Sequence, residues 1–297
     1  MRRTKQTANN LLLLFALAQL AWRNPIAMLL ALLAAGGWYG YEYQIARPAM
    51  AFQGVPQTAD WHQLTSWFRV LRNDGFILGY SDLRGNPLWV MYKLHPVSET
   101  APNLHRPSHF SADWRGLNRV THESYTGSGY DRGHLAPNYA MSRLYGAAAQ
   151  ADSFLMTNIS PQKAHLNQKW WQRLESVEID HFAHQFGQVW VVTGPVFDDQ
   201  IERLKTTSSV EIPDAFYKIY MTEPSPGTFY TLAFLVPQNV QGKEPLDQFL
   251  TSIDTIERKT GLDFFYKLDD DIENRLEAAV DGNPWQLQQV ARLPARY

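Results

Sequence analysis

Short apolar segments separated by turn-forming residues constrain the fold of this chain more than any other feature. Phe76 to Tyr80 and Leu88 to Tyr92 are rich in aromatic and branched residues, and the stretch from Asp82 to Pro87 between them favours a turn. This pattern predicts a β-hairpin. Further strands are predicted for similar apolar segments, which are Gln188 to Thr193, Tyr217 to Met221 and Phe229 to Val236.

Helical periodicity is clearest in three segments. They are Ser142 to Ala151, Leu166 to Phe186, and Pro245 to Thr260, the last followed by Gly261 as a predicted C′ residue. Strands outnumber helices and do not alternate regularly with them. The sequence therefore predicts an α+β fold with a largely antiparallel sheet and flanking helices.

The first 45 residues differ in composition from the rest of the chain. Basic residues precede the apolar run from Leu11 to Trp22, and a second apolar run extends from Ile26 to Tyr41. Because no acidic residue occurs before Glu42, positive charge lies only on the N-terminal side of these runs, which favours a cytoplasmic N-terminus. We therefore predict a signal-anchor over residues 1–45, in which the run from Ile26 to Tyr41 is a transmembrane helix.

The remaining residues, 46–297, have the composition of a globular domain, which we expect on the periplasmic or extracytoplasmic side of that membrane. Two alternatives stay open for the N-terminus. The first alternative to the signal-anchor is a signal peptide that is cleaved on secretion, and the second is a mitochondrial targeting sequence.

Charge and cysteine content limit the function classes. The net charge of −2 counts against a nucleic-acid binder, which usually carries a basic surface. Between residues 103 and 175 the net charge is positive, because this stretch contains eight Lys and Arg residues and five Asp and Glu residues. With no cysteine, the chain has no thiol nucleophile, disulfide or Cys-ligated zinc site.

Candidate catalytic groups lie in the segment Asp131-Arg132-Gly133-His134. Phosphodiester hydrolysis needs a base that deprotonates water and a cation that stabilises the charge developing on phosphate. A neutral imidazole such as that of His134 accepts a proton near pH 7. The guanidinium of Arg132 suits phosphate recognition.

The predicted helix Leu166 to Phe186 carries two candidate oxygen donors. Asn167 and Glu175 are eight residues apart, a little over two turns, so both can face one groove. An amide oxygen and a carboxylate are hard ligands that suit Mg²⁺ rather than zinc.

The intervals between these residues resemble a known family. Asp-Arg-Gly-His at 131–134 is followed by Asn-x-x-Pro-Gln at 158–162, by Leu-Asn-Gln-x-x-Trp at 166–171, and by Leu-Glu at 174–175. This order closely resembles the DNA/RNA non-specific endonuclease family, which includes the mitochondrial endonuclease G group and secreted bacterial nucleases. The resemblance covers most of residues 70–266 and implies a ββα-metal finger active site.

The resemblance implies a role for each matching residue. His134 would be the general base, Arg132 a phosphate contact, and Asn167 the only direct protein ligand of Mg²⁺, with Mn²⁺ as an alternative ion. Glu175 would hold a metal-bound water, Asn158 would support the site beside the base, and Asp131 would brace the loop. The implied substrate is the phosphate backbone of DNA and RNA, and a homodimer is an open alternative because some relatives dimerise.

Two other function classes compete with the nuclease. A binding protein on a decayed nuclease scaffold would explain the acidic net charge, but the intact His134, Asn167 and Glu175 argue against decay. A membrane-tethered structural protein would leave these residues without a purpose.

Overall fold

The computed structural model describes residues 24–294 and divides into two compact units, Met1–Ala49 and Met50–Tyr297. In the first unit, helix α1 (Pro25–Tyr41) continues into a π-helical turn, Glu42–Ala46. Pro25 begins α1 because its fixed φ suits the first turn, where a backbone N–H would have no partner.

Helix α1 overlaps the second apolar run of the sequence. It has 17 residues, and no helix within residues 24–294 is long and apolar enough to cross a membrane. The transmembrane helix predicted over Ile26 to Tyr41 is therefore not supported. The first apolar run, Leu11 to Trp22, lies outside the described residues.

Strands of the second unit form one large sheet and two small ones. Within the described residues they are β1 (Gln57–Thr58), β2 (Arg69–Arg72), β3 (Phe76–Ser81), β4 (Asn86–Leu94), β5 (Asp131–His134), β6 (Ile159–Gln162), β7 (Val189–Val196), β8 (Ala215–Ser225), β9 (Thr228–Pro237), β10 (Leu250–Thr251) and β11 (Leu262–Asp263). The large sheet has seven antiparallel strands in the order β10-β9-β8-β7-β4-β3-β2, and β1 pairs with β11 and β5 with β6. The predicted antiparallel α+β fold is thus confirmed, as is the hairpin β3–β4.

One helix dominates the second unit. This helix, α3, runs over residues 166–186, with α-helical turns at Gln172–Val177 and Ala183–Phe186 and wider π-helical turns at Leu166–Trp171 and Glu178–Phe182. The remaining helices are α2 (Ala147–Ser153), α4 (Ile253–Thr260), α5 (Asp270–Ala278) and α6 (Leu287–Val290), and shorter helical turns occupy Pro48–Met50, Leu64–Ser66, His122–Tyr125, Asn138–Ala140, Met141–Tyr145, Met156–Asn158 and Leu246–Phe249.

Two predicted helices are interrupted. Gly146, with a φ of +89°, separates the helical turn Met141–Tyr145 from α2, so the predicted helix over Ser142 to Ala151 is broken there. The predicted helix from Pro245 to Thr260 is wrong in its first half, because Leu250 and Thr251 pair with β9. Helix α4 begins only after Ser252, whose hydroxyl caps it, and ends at the left-handed Gly261 as predicted.

Alternating side chains of the large sheet pack against different layers. Leu78, Val90 and Tyr92 face the cluster that contains the α3 residues Trp170, Trp171 and Leu174. Their neighbours along the strands face the second cluster, which contains α4 and α5; they include Ile77, Trp89, Met91, Val192 and Ile219. The sheet is therefore the middle layer between α3 and the α4–α5 pair, which explains why its strands are apolar on both faces.

A buried ion pair ties α3 to the sheet. Glu178 Oε2 lies 3.0 Å from Lys218 Nζ of β8, and both side chains are fully buried. The hydroxyls of Tyr220 and Tyr92 donate to the same carboxylate at 2.8 and 3.1 Å. Removing one member of such a pair leaves a buried charge unpaired and costs about 3–5 kcal/mol. This cluster fixes which face of α3 is turned away from the sheet.

Candidate active site

The small sheet β5–β6 positions the predicted base. His134 pairs with Ile159 and Gly133 with Ser160 across the two strands. A Cβ at Gly133 would lie 2.1 Å from the side-chain oxygen of Gln162, so a larger residue would have to displace this buried side chain. The sequence Arg-Gly-His therefore places an imidazole at the end of a tightly packed strand.

Asn158 holds the chain that follows His134. Its side-chain oxygen accepts from Ala136 N at 2.9 Å, and its amide nitrogen donates to the carbonyls of Ala136 and Ser153 at 3.0 and 2.9 Å. The side chain is fully buried. Asn158 therefore acts on His134 through the backbone, with all of its bonds directed away from the cleft described below.

The imidazole of His134 lies in an aromatic pocket. The rings of Phe110 and Phe154 lie 5.2 and 4.8 Å from it, and its Nε2 has no hydrogen-bond partner among the described residues. Burial, aided by the positive charge of Arg106, lowers the pKa of His134 to about 3. The ring is therefore neutral at pH 7.

Asn167 projects from the first turn of α3. Its Nδ2 donates to Asp131 Oδ2 at 2.9 Å, and the same oxygen accepts from Gln168 Nε2 at 2.7 Å. Because a carboxylate only accepts hydrogen bonds, Asp131 selects the NH₂ end of the Asn167 amide. The amide oxygen is left as an acceptor that no side chain within the described residues occupies.

Glu175 lies two turns further along α3. It is half-buried, and burial raises its pKa to about 7, against the lowering effect of Lys218. A carboxyl group in this state gains strongly from a nearby cation, because a positive charge stabilises its ionised form.

These side chains line one cleft with a volume of about 250 Å³. The predicted residues that line it are Arg132, His134, Asn167 and Glu175, whereas Asp131 and Asn158 lie outside its lining. The guanidinium of Arg132 is anchored by donating to His122 O at 2.6 Å and to Thr126 Oγ1 at 2.8 Å. Oxygen donors and an unpaired imidazole therefore meet in one cleft.

The cleft also contains residues that sequence reasoning did not find. Arg106 and Asn138 belong to its lining. Asn138 lies only four residues after His134 and could have been found there. Arg106 lies in a different segment with no motif of its own, and its only signal was the local excess of basic residues.

The donor atoms suit a hard divalent cation. The free amide oxygen of Asn167 and the carboxylate of Glu175 are the ligand class that Mg²⁺ prefers, and soft or nitrogen-rich sites suit other metals. Mg²⁺ keeps several waters and needs few protein ligands. The residues present therefore fit such an ion.

Comparison with known proteins identifies the family. A family model described as DNA/RNA non-specific endonuclease matches residues 63–271. The chain belongs to this family. It is therefore an endonuclease of a metal-dependent family, and the predicted resemblance is confirmed.

Relatives of this endonuclease occur in bacteria and in mitochondria. The nuclease of Serratia marcescens is 35% identical over 189 residues, which cover 62% of this chain and 63% of that protein. Human mitochondrial endonuclease G is 30% identical over 203 residues, covering 64% of this chain and 67% of its own length. The nuclease of a Nostoc species is 28% identical over 239 residues, covering 77% of this chain and 84% of its own.

The fold is similar to that of a solved structure. The complex of EndoG with EndoGI aligns with a TM-score of 0.60 at 23% identity, covering 67% of this chain and 86% of the matched chain. At this identity the likeness shows the shared fold.

The neutral state of His134 is testable by NMR. In metal-free endonuclease labelled with ¹⁵N-histidine, the His134 signal should stay that of a neutral ring down to about pH 4, since burial and Arg106 disfavour the charged form. Arg106→Gln should raise this pKa. Because the unfolded chain binds the proton near pH 6.5, His134 should also make folding less stable as the pH falls from about 6.5 towards 3. A His134 signal that titrates between pH 6 and 7 would contradict this account.

Proposed function

We propose that this endonuclease hydrolyses the phosphodiester bonds of DNA and RNA with His134 as general base and Asn167 as the only protein ligand of Mg²⁺. The observation that carries the proposal is the meeting of a neutral imidazole, a free amide oxygen and a carboxylate in one cleft.

His134 accepts the proton of the attacking water. The ring lines the cleft and is already neutral, so it can accept a proton from a water bound there. A pKa of about 3 makes the free ring a weak base. A bound phosphodiester adds negative charge beside the ring, and this charge raises the pKa of His134 when the substrate is present. The water oxygen then forms a bond to phosphorus, the bond to the leaving oxygen breaks with its electron pair on that oxygen, and the leaving oxygen takes up a proton from solvent.

Asn167 and Glu175 hold the cation and its surroundings. A bound Mg²⁺, or Mn²⁺ in its place, supplies positive charge that stabilises the phosphate and the leaving oxygen. Asn167 offers its amide oxygen, which Asp131 orients through the other end of the amide. Glu175 accepts a hydrogen bond from water in the same cleft, and in its ionised form balances the charge of the cation.

Cationic side chains account for binding without base recognition. Arg132 and Arg106 line the same cleft as His134 and can contact phosphate oxygens. Phosphate contacts position a nucleic acid but carry no sequence information. This supports cleavage that depends little on base or sugar, as the family description states.

The compartment of the protein is inferred from its relatives. Relatives named as mitochondrial nucleases support a location apart from the chromosome. Such a location protects the chromosome from non-specific cleavage. The extracytoplasmic location and the homodimer stay predictions.

His134→Ala should lower turnover by at least about 10²-fold and leave the binding of nucleic acid nearly unchanged. A positioned general base contributes about 10²–10⁴-fold, whereas phosphate contacts supply the binding. Turnover is measured by plasmid cleavage with saturating Mg²⁺, and binding by fluorescence anisotropy with EDTA present. His165→Ala is the matched control, because His165 is exposed at the start of α3 and should cleave normally. Cleavage by His134→Ala at half the parent rate would show that another group is the base.

Asn167→Ala should raise the Mg²⁺ concentration needed for half-maximal activity by at least about tenfold, because the cation loses its protein ligand. Asn167→Asp should keep partial activity, since it retains an oxygen ligand. Gln168→Ala is the control, because this variant removes the second amide that bonds to Asp131 and leaves Asn167 in place. A titration curve of Asn167→Ala that matches the parent would locate the cation on other residues.

A further inference from the structure

A second group of carboxylates lies on the opposite face of the sheet. Asp254 and Glu257 belong to α4 and Glu277 to α5, and one oxygen of each lies within 4.8 Å of the others. None of the three lines the active-site cleft. The exposed Asp269, Asp270 and Asp271 at the start of α5, by contrast, form no such group.

Glu277 is the most unusual member of this group. Only 7% of the residue is exposed, and its Oε1 is buried without a hydrogen-bond partner among the described residues. Leaving a buried polar atom unsatisfied costs about 1–3 kcal/mol, and more for a charged group. An unpaired carboxylate oxygen at this depth, next to two other acids, requires a proton or a cation.

The surroundings of Glu277 disfavour an unpaired negative charge on its carboxylate. Burial raises its pKa to about 9, and the carboxylates of Glu257 and Glu273 add to this effect, followed by those of Asp254 and Asp263. Burial likewise raises the pKa of Glu257 to about 7. The described residues form no ion pair with Asp254, Glu257 or Glu277.

Backbone contacts keep these acids in place. Glu257 Oε1 accepts from Phe264 N at 2.8 Å, which ties the carboxylate to the chain that leaves α4. The carbonyl of Leu276, next to Glu277, accepts from the hydroxyl of Thr231 at 3.1 Å, which ties α5 to β9. The Glu257 carboxylate and the backbone beside Glu277 are therefore fixed where the two helices meet.

We propose that Asp254, Glu257 and Glu277 bind a Ca²⁺ ion that joins α4 to α5 and stabilises the fold. Two oxygens that bind one Ca²⁺ at 2.3–2.6 Å stand at most about 5 Å apart, which agrees with the spacing of these three. Asp254 and Glu257 are partly exposed, so water completes the six to eight oxygen ligands that Ca²⁺ takes. Three carboxylates suit Ca²⁺ better than Mg²⁺, which is usually bound by one or two.

The site differs from the catalytic one in residues and in consequence. It involves no group that lines the active-site cleft, and the binding of Ca²⁺ is expected to change the stability of the fold. The proposal therefore stands or fails independently of the roles of His134 and Asn167.

Thermal unfolding of the full chain tests the proposal. Protein treated with EDTA and desalted at pH 7.5 is melted with and without an excess of CaCl2, followed by circular dichroism. Ca²⁺ at about 100 times its Kd should raise the Tm by at least about 5 °C. Asn167→Ala should show the same rise, because the cation at issue is not the one in the cleft.

Variants separate the site from other effects of Ca²⁺. Glu277→Gln should melt near the parent without Ca²⁺, because glutamine resembles the protonated acid, and Ca²⁺ should no longer raise its Tm. Asp254→Asn, in a more exposed position, provides the same test if Glu277→Gln does not fold. Glu202→Gln, which removes an exposed acid elsewhere, should keep the full rise. A parent Tm that does not respond to Ca²⁺, an equal rise with MgCl2, or a full rise in both site variants would overturn the proposal.

Discussion

The buried pair of Glu178 and Lys218 is the contact on which the active cleft depends. It fixes α3 on the central sheet in a low-dielectric layer, where the ion pair and two tyrosine hydroxyls satisfy each other. With that face of the helix held inwards, Asn167 and Glu175 are turned towards the cleft. Lys218 also acts on Glu175, because its positive charge opposes the rise in pKa that burial causes.

A second set of contacts joins the base to this helix. Asp131 belongs to the strand that carries His134, and its carboxylate accepts from Asn167 on α3. Asn158 fixes the chain beyond His134 through two hydrogen bonds to Ala136, and a third bond ties it to Ser153. The distance between base and metal ligand is therefore set by two side chains that lie outside the lining of the cleft.

Sequence reasoning found those parts of the site that depend on local spacing. The interval between Asn167 and Glu175 indicated one helix face, and both residues line the cleft. Arg106 was missed because only the folding of a separate segment brings it near His134. The helix from Pro245 was overextended because pairing of β10 with β9 outweighed its helical pattern. The carboxylate group of Asp254, Glu257 and Glu277 was not predicted from the sequence for a related reason, since its members come from two helices.

The central claim is that Asn167 supplies the single protein ligand of the catalytic cation beside a neutral His134. Anomalous diffraction from crystals of the full chain soaked with Mn²⁺ tests this most directly. We expect a manganese peak in the cleft about 2.1 Å from Asn167 Oδ1, with no other protein atom at bonding distance and with His134 not coordinated. A cleft peak bonded to His134 Nε2 or to the Asp131 carboxylate, with Asn167 out of reach, would contradict it.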